Sequence, residues 1–202
     1  MGQVFEEITD RLAAFIDAQP VFFVATAPSG DDGHVNVSPK GMSGTFKVLD
    51  RHRVAYLDWG GSGIEGTAHM RQNGRVCIMF CSFDRTPKIL RLHGVGAPVF
   101  RGDPRFDELA ARFEAPVVPA VRSVIDVEVT RISDSCGYSV PFMQFIGERT
   151  MLADVNSRRS DATIAERRLR SNTLSVDGLS GLADSPGQEH YEKVLAATEA
   201  AG

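Results

Sequence analysis

Two turns rich in glycine and serine contain the residues of this chain best suited to hold a phosphate group. One is Ser38-Pro39-Lys40-Gly41 and the other is Gly60-Gly61-Ser62-Gly63, and each follows a predicted strand. Glycine allows an anion to approach backbone N–H groups, and the helix predicted after the second turn begins with N–H groups that lack helical partners. Lys40 adds a cation, and the hydroxyls of Ser62 and Thr67 are further donors. The pattern predicts a phosphate cradle, and a tight structural turn capped by Ser62 is the open alternative.

Other kinds of reactive site have weaker support in the sequence. The five histidines show no metal-ligand spacing such as His-x-x-x-His, so we expect no metal site. The chain has no Gly-x-Ser-x-Gly motif of a serine hydrolase, and the glycine-rich turn lacks the Gly-Lys-Ser/Thr ending of a nucleotide-binding loop. Arg91 lies in the middle of a predicted strand, where it faces either solvent or the mouth of a barrel.

Short strands with little helix between them are predicted to position these turns. Their order favours a mainly β protein, an antiparallel barrel with flanking helices, over a parallel sheet. The predicted strands are residues 21–27, 34–37, 46–49, 54–58, 75–82, 88–95 and 123–132, and the predicted helices are residues 4–18, 64–72 and 104–114.

The chain divides into a barrel domain, residues 1–150, and a C-terminal extension, residues 151–202. Residues 157–172 of the extension are helical in propensity and rich in arginine, and residues 173–188 read as a loop. The arginine cluster from Arg158 to Arg170 is typical of a solvated helix face. We expect the extension to pack on the barrel or on a partner subunit.

Composition limits the partners and the compartment. The net charge of −4 and the pI of about 5.7 favour neither nucleic acid nor an anionic membrane. The chain shows neither a secretory-signal pattern nor an apolar run long enough to span a bilayer, and its three cysteines do not form a disulfide framework. These features predict a cytoplasmic protein.

Five short segments follow one another in an order that is specific to one protein family. They are VNVSPKG (35–41), DWGGSG (58–63), AHMRQNGRV (68–76), MFCSF (79–83) and LRLHG (90–94). Together they resemble the pyridoxamine 5′-phosphate oxidase-related proteins, which are flavin-binding split-barrel proteins. The resemblance covers residues 5–150 and extends loosely into the tail, where the later segments SCGYSVP and LSVDGL are similar to a bacterial subgroup with a long C-terminal extension.

This resemblance implies a six-stranded antiparallel Greek-key split barrel and a homodimer that binds FMN at the subunit interface. By position, residues 37–41 would flank the isoalloxazine ring, residues 60–67 would hold the phosphate, and Arg91 would reach the same region. The partner's tail, around residues 172–179, would cover the flavin. The implied cofactor-binding set is Val37, Ser38, Pro39, Lys40, Gly41, Trp59, Gly61, Ser62, Gly63, Thr67 and Arg91.

The chain departs from the authentic oxidase at the phosphate. Gly63 and Ile64 stand where the oxidase has an Arg-Lys pair, so the phosphate would depend on backbone N–H groups, hydroxyls and Lys40. Neutral donors bind phosphate more weakly than a charge-assisted pair does. The substrate-binding tryptophan and arginine of the oxidase's C-terminus also have no counterpart, because Trp59 is the only tryptophan. These departures favour a reductase or another flavin-dependent role over vitamin B6 oxidation.

The resemblance therefore implies an FMN-dependent oxidoreductase that acts on a small-molecule substrate or takes electrons from a nicotinamide donor. The sequence identifies no catalytic side chain. Two alternatives remain open on the same fold. One is a reductase that uses the deazaflavin F420, whose acidic tail would suit the arginines between Arg158 and Arg170. The other is a flavin- or haem-binding protein without turnover.

Overall fold

An antiparallel sheet of eight strands forms the centre of the protein, and six helices flank it within residues 2–200, the part of the chain that the computed structural model describes. The strands are β1 (Val4–Phe5), β2 (Phe22–Thr26), β3 (Asn36–Lys40), β4 (Phe46–Asp50), β5 (Arg53–Asp58), β6 (Arg75–Cys81), β7 (Ile89–Phe100) and β8 (Ser123–Ser135). The helices are α1 (Asp10–Asp17), α2 (Glu65–Asn73), α3 (Phe106–Ala110), α4 (Met151–Ser157), α5 (Asp161–Asn172) and α6 (Pro186–Ala200).

The sheet curls on itself into a split barrel. Its strand order is β3-β2-β6-β7-β8-β5-β4, with β1 added beside β8, so β3 and β4 are the two edges. Phe22 on β2 nevertheless packs against Phe46 on β4, with ring centroids 5.0 Å apart, and against Tyr56 on β5 at 5.7 Å. Strands from opposite ends of the order therefore face each other across the core. The predicted antiparallel barrel with flanking helices is confirmed. The sheet has eight strands rather than the six that the resemblance implies, and β1, which the sequence did not predict, pairs with β8.

Apolar residues from alternating strand positions fill the barrel. On β7, Leu90 and Leu92 are fully buried, and Ile78 on β6 and Ile125 on β8 join them in one cluster. This alternation follows from the two-residue period of a strand, which sends neighbouring side chains to opposite faces. The buried side chains of these central strands form the core on which β5 packs.

The C-terminal extension packs against the barrel of its own chain. A buried cluster joins the extension to the barrel. It contains Ala165 of α5, Leu182 of the loop before α6, Tyr191 of α6, and Ile64 and Phe100 of the barrel domain. Ile64 is the residue immediately before α2, so this cluster fixes the extension beside the glycine-rich turn.

The predicted helix over residues 4–18 was wrong in its first part. Val4 and Phe5 form β1, which pairs with β8 through Val4 and Ser133, and the helix begins later, at Asp10. The hydroxyl of Thr9 accepts a hydrogen bond from the Leu12 backbone N–H at 3.3 Å, which caps the helix at that point. The tertiary strand pairing and the cap together overcame the apolar spacing that suggested a longer helix.

The prediction of a turn at Ser38-Pro39-Lys40 was also wrong, because these residues lie in β3. Pro39 pairs with Phe23 and Lys40 pairs with Phe22 of β2. Proline lacks the N–H needed for a central strand but is tolerated at the edge of a sheet, and β3 is an edge strand. The side chains of β3 are therefore held by the sheet rather than by a loop.

Two further predicted elements differ in length. α3 spans Phe106–Ala110 instead of residues 104–114, and the backbone N–H groups of Arg112 and Phe113 bond three residues back, as in a tighter turn. β7 continues to Phe100 because all of its residues pair with β8. Among the helices described, none is long and apolar enough to cross a membrane.

Candidate functional site

A cavity of about 310 Å³ lies where β3, the end of β5 and the start of α2 meet. The site is formed by side chains from strands, which the sheet holds in place, and by backbone groups from the turn that connects β5 to α2. We call this space the smaller cavity. Its lining includes Asn36, Ser38, Pro39, Lys40, Tyr56, Asp58, Gly61, Ser62, Gly63, Ile64, Glu65, Gly66, Thr67 and Arg122.

A buried carboxylate, Asp58, joins two cations at the wall of this cavity. Its Oδ2 accepts hydrogen bonds from Arg122 Nε at 2.9 Å and from Arg122 Nη2 at 2.6 Å. Its Oδ1 accepts a hydrogen bond from Lys40 Nζ at 3.2 Å. Both Asp58 and Arg122 are nearly inaccessible to solvent, whereas Lys40 is partly exposed. In this group two cations face one carboxylate, and Glu65 at the start of α2 adds a second carboxylate to the lining of the smaller cavity, so its charged side chains balance.

Asp58 stays ionised because of these two partners. Burial acts to raise the pKa of its carboxyl group, but the charges and hydrogen bonds of Arg122 and Lys40 outweigh burial and hold the pKa well below its usual range. The carboxylate therefore anchors Lys40 and Arg122 and does not act as an acid or base near neutral pH.

The start of α2 offers free donors to the smaller cavity. The residue before the helix, Ile64, provides no side-chain cap, so the first N–H groups of α2 are left without an internal acceptor. Within residues 2–200, the hydroxyls of Ser62 and Thr67 donate to no other residue. The position that a Cβ of Gly61 would occupy is open space. These features form a recess lined by unpaired donors, which suits an anionic oxygen.

Glu65 opposes anion binding in the same recess. It is the acidic residue in the first turn of α2, and its carboxylate lies against Gly63, where it would collide with a larger side chain. A carboxylate at a helix N-terminus is favourable for the helix. It would repel a second anion bound beside it.

Two side chains of α5 hold the glycine-rich turn by hydrogen bonds to its carbonyl oxygens. Arg168 donates to the carbonyl oxygens of Gly61 and Ala120, both at 3.2 Å, and Asn172 Nδ2 donates to the carbonyl oxygens of Gly61 and Ser62 at 3.4 Å. Both side chains are buried. Burial, followed by the nearby charge of Arg122, lowers the pKa of Arg168. The Arg168 guanidinium also lies against Gly60, so a larger residue at position 60 would displace it.

A second cavity of about 1060 Å³ opens next to the smaller one, and we call it the larger cavity. The two cavities share the lining residues Pro39, Lys40, Gly61 and Ser62. Further parts of the larger wall come from Trp59, from the segment before α4, from α4 and from α5. A ligand that spans both cavities would therefore contact the barrel and the C-terminal extension.

The structure brings together most of the predicted site residues. Ser38, Pro39, Lys40, Gly61, Ser62, Gly63 and Thr67 line the smaller cavity, and Gly41 and Trp59 line the larger one. Two residues lie elsewhere. Val37 is 61% exposed on β3, and Arg91 donates to the Ser135 hydroxyl at 3.0 Å and lines neither cavity.

The predicted set of site residues leaves out four side chains that shape the site: Asp58, Arg122, Arg168 and Asn172. Of these, only Asn172 lies in a segment, residues 172–179, that the resemblance implies near the flavin. Arg168 belongs to the arginine cluster that was predicted to form a solvated helix face. That prediction was wrong at this residue, because Arg168 is buried, although Arg158, Arg167 and Arg170 are exposed. The segment around Asn172 reaches the turn of its own chain. Among residues 2–200 no group of histidine, cysteine and acidic side chains is arranged to hold a metal ion.

Comparisons with known proteins identify the family. A sequence model described as Pyridoxamine 5′-phosphate oxidase matches residues 8–136. The Pyridoxamine 5′-phosphate oxidase family protein ustO of Aspergillus flavus is 36% identical over 194 residues, which cover 88% of this chain and 77% of the relative.

Solved structures show a weaker likeness. An FMN-binding protein from Syntrophomonas wolfei has a TM-score of 0.45 at 13% identity, covering 59% of this chain and 80% of that chain. The FAD binding protein from Mycobacterium smegmatis has a TM-score of 0.43 at 14% identity, covering 65% and 97%. The family match and the 36% identical relative both extend over well more than half of the sequence, and the chain therefore belongs to the pyridoxamine 5′-phosphate oxidase family.

Proposed function

We propose that this protein is an FMN-dependent oxidoreductase that acts on a small molecule. The observation that carries the proposal is the recess of unpaired donors at the start of α2, beside Lys40 and Arg122. The recess is built on elements that lie within the part of the chain matched by the family model. Its donors fit a phosphate group, and no Arg-Lys pair is required for that fit.

The residues around the recess divide the work of binding. Backbone N–H groups of α2 and the hydroxyls of Ser62 and Thr67 would hold the phosphate, and Asp58 keeps Lys40 directed along the same wall. The shared residues Pro39 and Gly61 lead from the smaller cavity into the larger one. The remainder of FMN would therefore extend toward the larger cavity, because a cavity of about 310 Å³ is small for the whole cofactor.

FMN, when bound, supplies hydride or single-electron transfer at its ring. The protein's part is binding, orientation and electrostatics. The Lys40 ammonium group is the cation placed between the two cavities, where it would stabilise negative charge on a reduced cofactor. No side chain of the smaller cavity is needed as a general acid or base for a simple hydride transfer.

We also propose that the protein works as a homodimer with the cofactor near the subunit interface. The extended segment between β8 and α4 carries apolar side chains that the protomer does not cover: Tyr138, Phe142, Met143, Phe145 and Ile146. Phe145 also lines the larger cavity. Contiguous apolar side chains at the surface mark contact regions, and a second copy would cover this segment beside the site.

An F420-dependent reductase is the second candidate function. The observation in its favour is the set of arginines in the wall of the larger cavity, because the deazaflavin tail is acidic. Both candidates use the same barrel and the same shared residues. They differ in the cofactor that the protein binds and in the direction of hydride transfer, because a reductase that uses F420 takes the hydride from the reduced cofactor.

Purification followed by anaerobic reduction tests the proposal. The protein is expected to retain FMN, to show the two flavin absorption bands in the near ultraviolet and the blue, and to lose the blue band when NADH or NADPH is added. Bleaching by reduced F420 alone, or retention of F420, would favour the second candidate. A flavin that binds but is reduced by no donor would contradict the oxidoreductase and indicate a binding protein.

A further inference from the structure

The wall of the larger cavity carries more positive than negative side chains. Its wall contains the cations of Lys40, Arg149, Arg159, Arg167 and Arg168 but only one carboxylate, that of Glu148. That carboxylate is already engaged, because its Oε1 accepts a hydrogen bond from the Ser43 backbone N–H at 2.6 Å. The cavity therefore has a net positive wall.

The arginines of this wall lack ionic partners. Within residues 2–200, neither Arg149, Arg159 nor Arg167 forms a salt bridge, and Lys40 is the wall cation that has one. Arg159 is half-buried on the short link between α4 and α5, where its guanidinium donates to the Asn156 side-chain oxygen at 3.2 Å. Asn156 is itself buried and lines the cavity. Arg159 is thus held in the wall by a neutral partner that leaves its charge uncompensated.

Apolar side chains complete the same wall. Trp59, Leu57 and Ile164 contribute from the barrel and α5, and Met151, Leu152 and Val155 contribute from α4. A cavity with both an apolar wall and unpaired cations favours a ligand that has an apolar body and an anionic group. A neutral polar ligand would leave the guanidinium charges uncompensated.

We propose that the larger cavity binds the substrate, and that the substrate is a small molecule with a carboxylate or phosphate group on an apolar or aromatic body. The anionic group contacts Arg159 and the rim arginines Arg149 and Arg167, and the body packs against Trp59 and α4. This proposal rests on the proposed function, because the shared residues Lys40 and Gly61 place such a ligand next to the cofactor. The C-terminal extension, which supplies Arg159 and Arg167, then determines substrate choice.

Calorimetric titration of the FMN-loaded protein with matched probes tests this assignment. The probes are 2-naphthoate, 2-naphthyl phosphate and the uncharged 2-naphthamide. We expect at least one anionic probe to bind about tenfold more tightly than the amide, as a charge-assisted contact provides. The Arg159→Met variant is expected to lose about tenfold in affinity for that anion and to bind the amide as before. Arg11→Met, at an exposed position on α1, is the matched control and should change neither affinity.

Equal affinities for the anionic and neutral probes would overturn the proposal, and so would an Arg159→Met variant that behaves like Arg11→Met. Displacement of the bound anion by F420 but not by excess FMN would assign the arginines to a deazaflavin tail and also overturn it. The flavin absorbance reports cofactor binding separately. A protein that binds FMN but not the anion keeps the proposed function, and one that binds the anion without FMN loses the proposed function alone.

Discussion

Asp58 is the residue that connects the elements of the smaller cavity, because it pairs with a cation from β3 and with Arg122, the residue before β8. Its partner Arg122 is buried and also donates to the Gly63 carbonyl oxygen at 3.2 Å. Removal of the Asp58 carboxylate would leave the buried Arg122 guanidinium without a counter-charge. Asp58 therefore stabilises the fold by pairing with Arg122, and it also fixes the position of Lys40 at the candidate site.

The Asp58→Asn variant is expected to lose about 3 kcal/mol of the free energy of unfolding, because it leaves the buried Arg122 charge unpaired. Urea unfolding at neutral pH measures this loss. Asp126→Asn is the matched control, since Asp126 pairs with the more exposed Arg53 on a neighbouring strand and should cost less than about 1 kcal/mol. Equal losses in the two variants would contradict the buried ionic group.

The pH dependence of this difference follows from the lowered pKa of Asp58. A depressed carboxyl pKa contributes stability that is fully present above the unfolded value of about 3.9 and is lost as the pH falls toward the folded value. The gap between the unmodified protein and Asp58→Asn should therefore be constant near neutral pH and should narrow below about pH 4. A gap that narrows on the alkaline side would show that another group is responsible.

Removal of the Glu65 charge is expected to strengthen the binding of FMN. Its carboxylate lies in the recess proposed for the phosphate, so Glu65→Gln should remove a repulsion and increase FMN affinity about fivefold, or ~1 kcal/mol. Fluorescence titration of FMN measures the dissociation constant. Glu189→Gln, in the first turn of α6, is the control and should leave it unchanged. Weaker binding in Glu65→Gln would place the phosphate elsewhere.

Single residues show where sequence reasoning reached its limit. Ser62 and Thr67 could be selected because hydroxyls next to a glycine-rich turn suit an anion wherever the turn lies. Arg122 and Arg168 could not, because a lone arginine that will be buried looks the same in sequence as one that will be solvated. Only the tertiary fold brings Arg122 to Asp58 and Arg168 to the Gly61 carbonyl oxygen.

At the scale of elements, α5 and α6 determine how firmly the glycine-rich turn is held. Leu182, which is fully buried, joins Ala165 and Tyr191 to Ile64 in one cluster. Leu182→Ala should destabilise the protein by about 3 kcal/mol, because it opens a cavity in that cluster. Thermal unfolding measures the loss.

Leu174 offers a matched control for this cluster, because it precedes the same loop and is 53% exposed. Leu174→Ala should change stability by less than about 0.5 kcal/mol. Limited proteolysis adds a second readout, since Leu182→Ala should release the extension while the barrel stays resistant. Similar effects in both variants would mean that the extension is not anchored through this cluster.

The elements that the sequence predicted well are those with a local cause. The strand β2 and the helix α2, which ends at Gly74 in the left-handed conformation, follow from apolar runs and a glycine stop. β3 was harder, because Pro39 suggests a turn and only its position at the sheet edge allows a strand. The length of β7 depends on its pairing with β8, which no local pattern shows.

At the scale of the whole molecule, the exposed segment between β8 and α4 predicts self-association. Ile146 is 92% exposed and is surrounded in sequence by other exposed apolar residues. We expect the unmodified protein to be a dimer by light scattering coupled to size exclusion, and Ile146→Glu to shift it toward the monomer by placing a charge in the contact. Asp154→Asn, on the exposed surface of α4, is the control. A monomeric unmodified protein would contradict the dimer.

Titration of the cofactor-free protein with FMN, followed by the visible difference spectrum, measures whether the recess at the start of α2 binds a flavin. We expect saturable binding, a loss of about tenfold in affinity for Lys40→Ala and a weaker loss for Ser62→Ala. Lys193→Ala, an exposed lysine on α6, should bind FMN as the unmodified protein does. Absence of saturable FMN binding, or a Lys40→Ala variant that cannot be distinguished from Lys193→Ala, would contradict a flavin site between β3, β5 and α2.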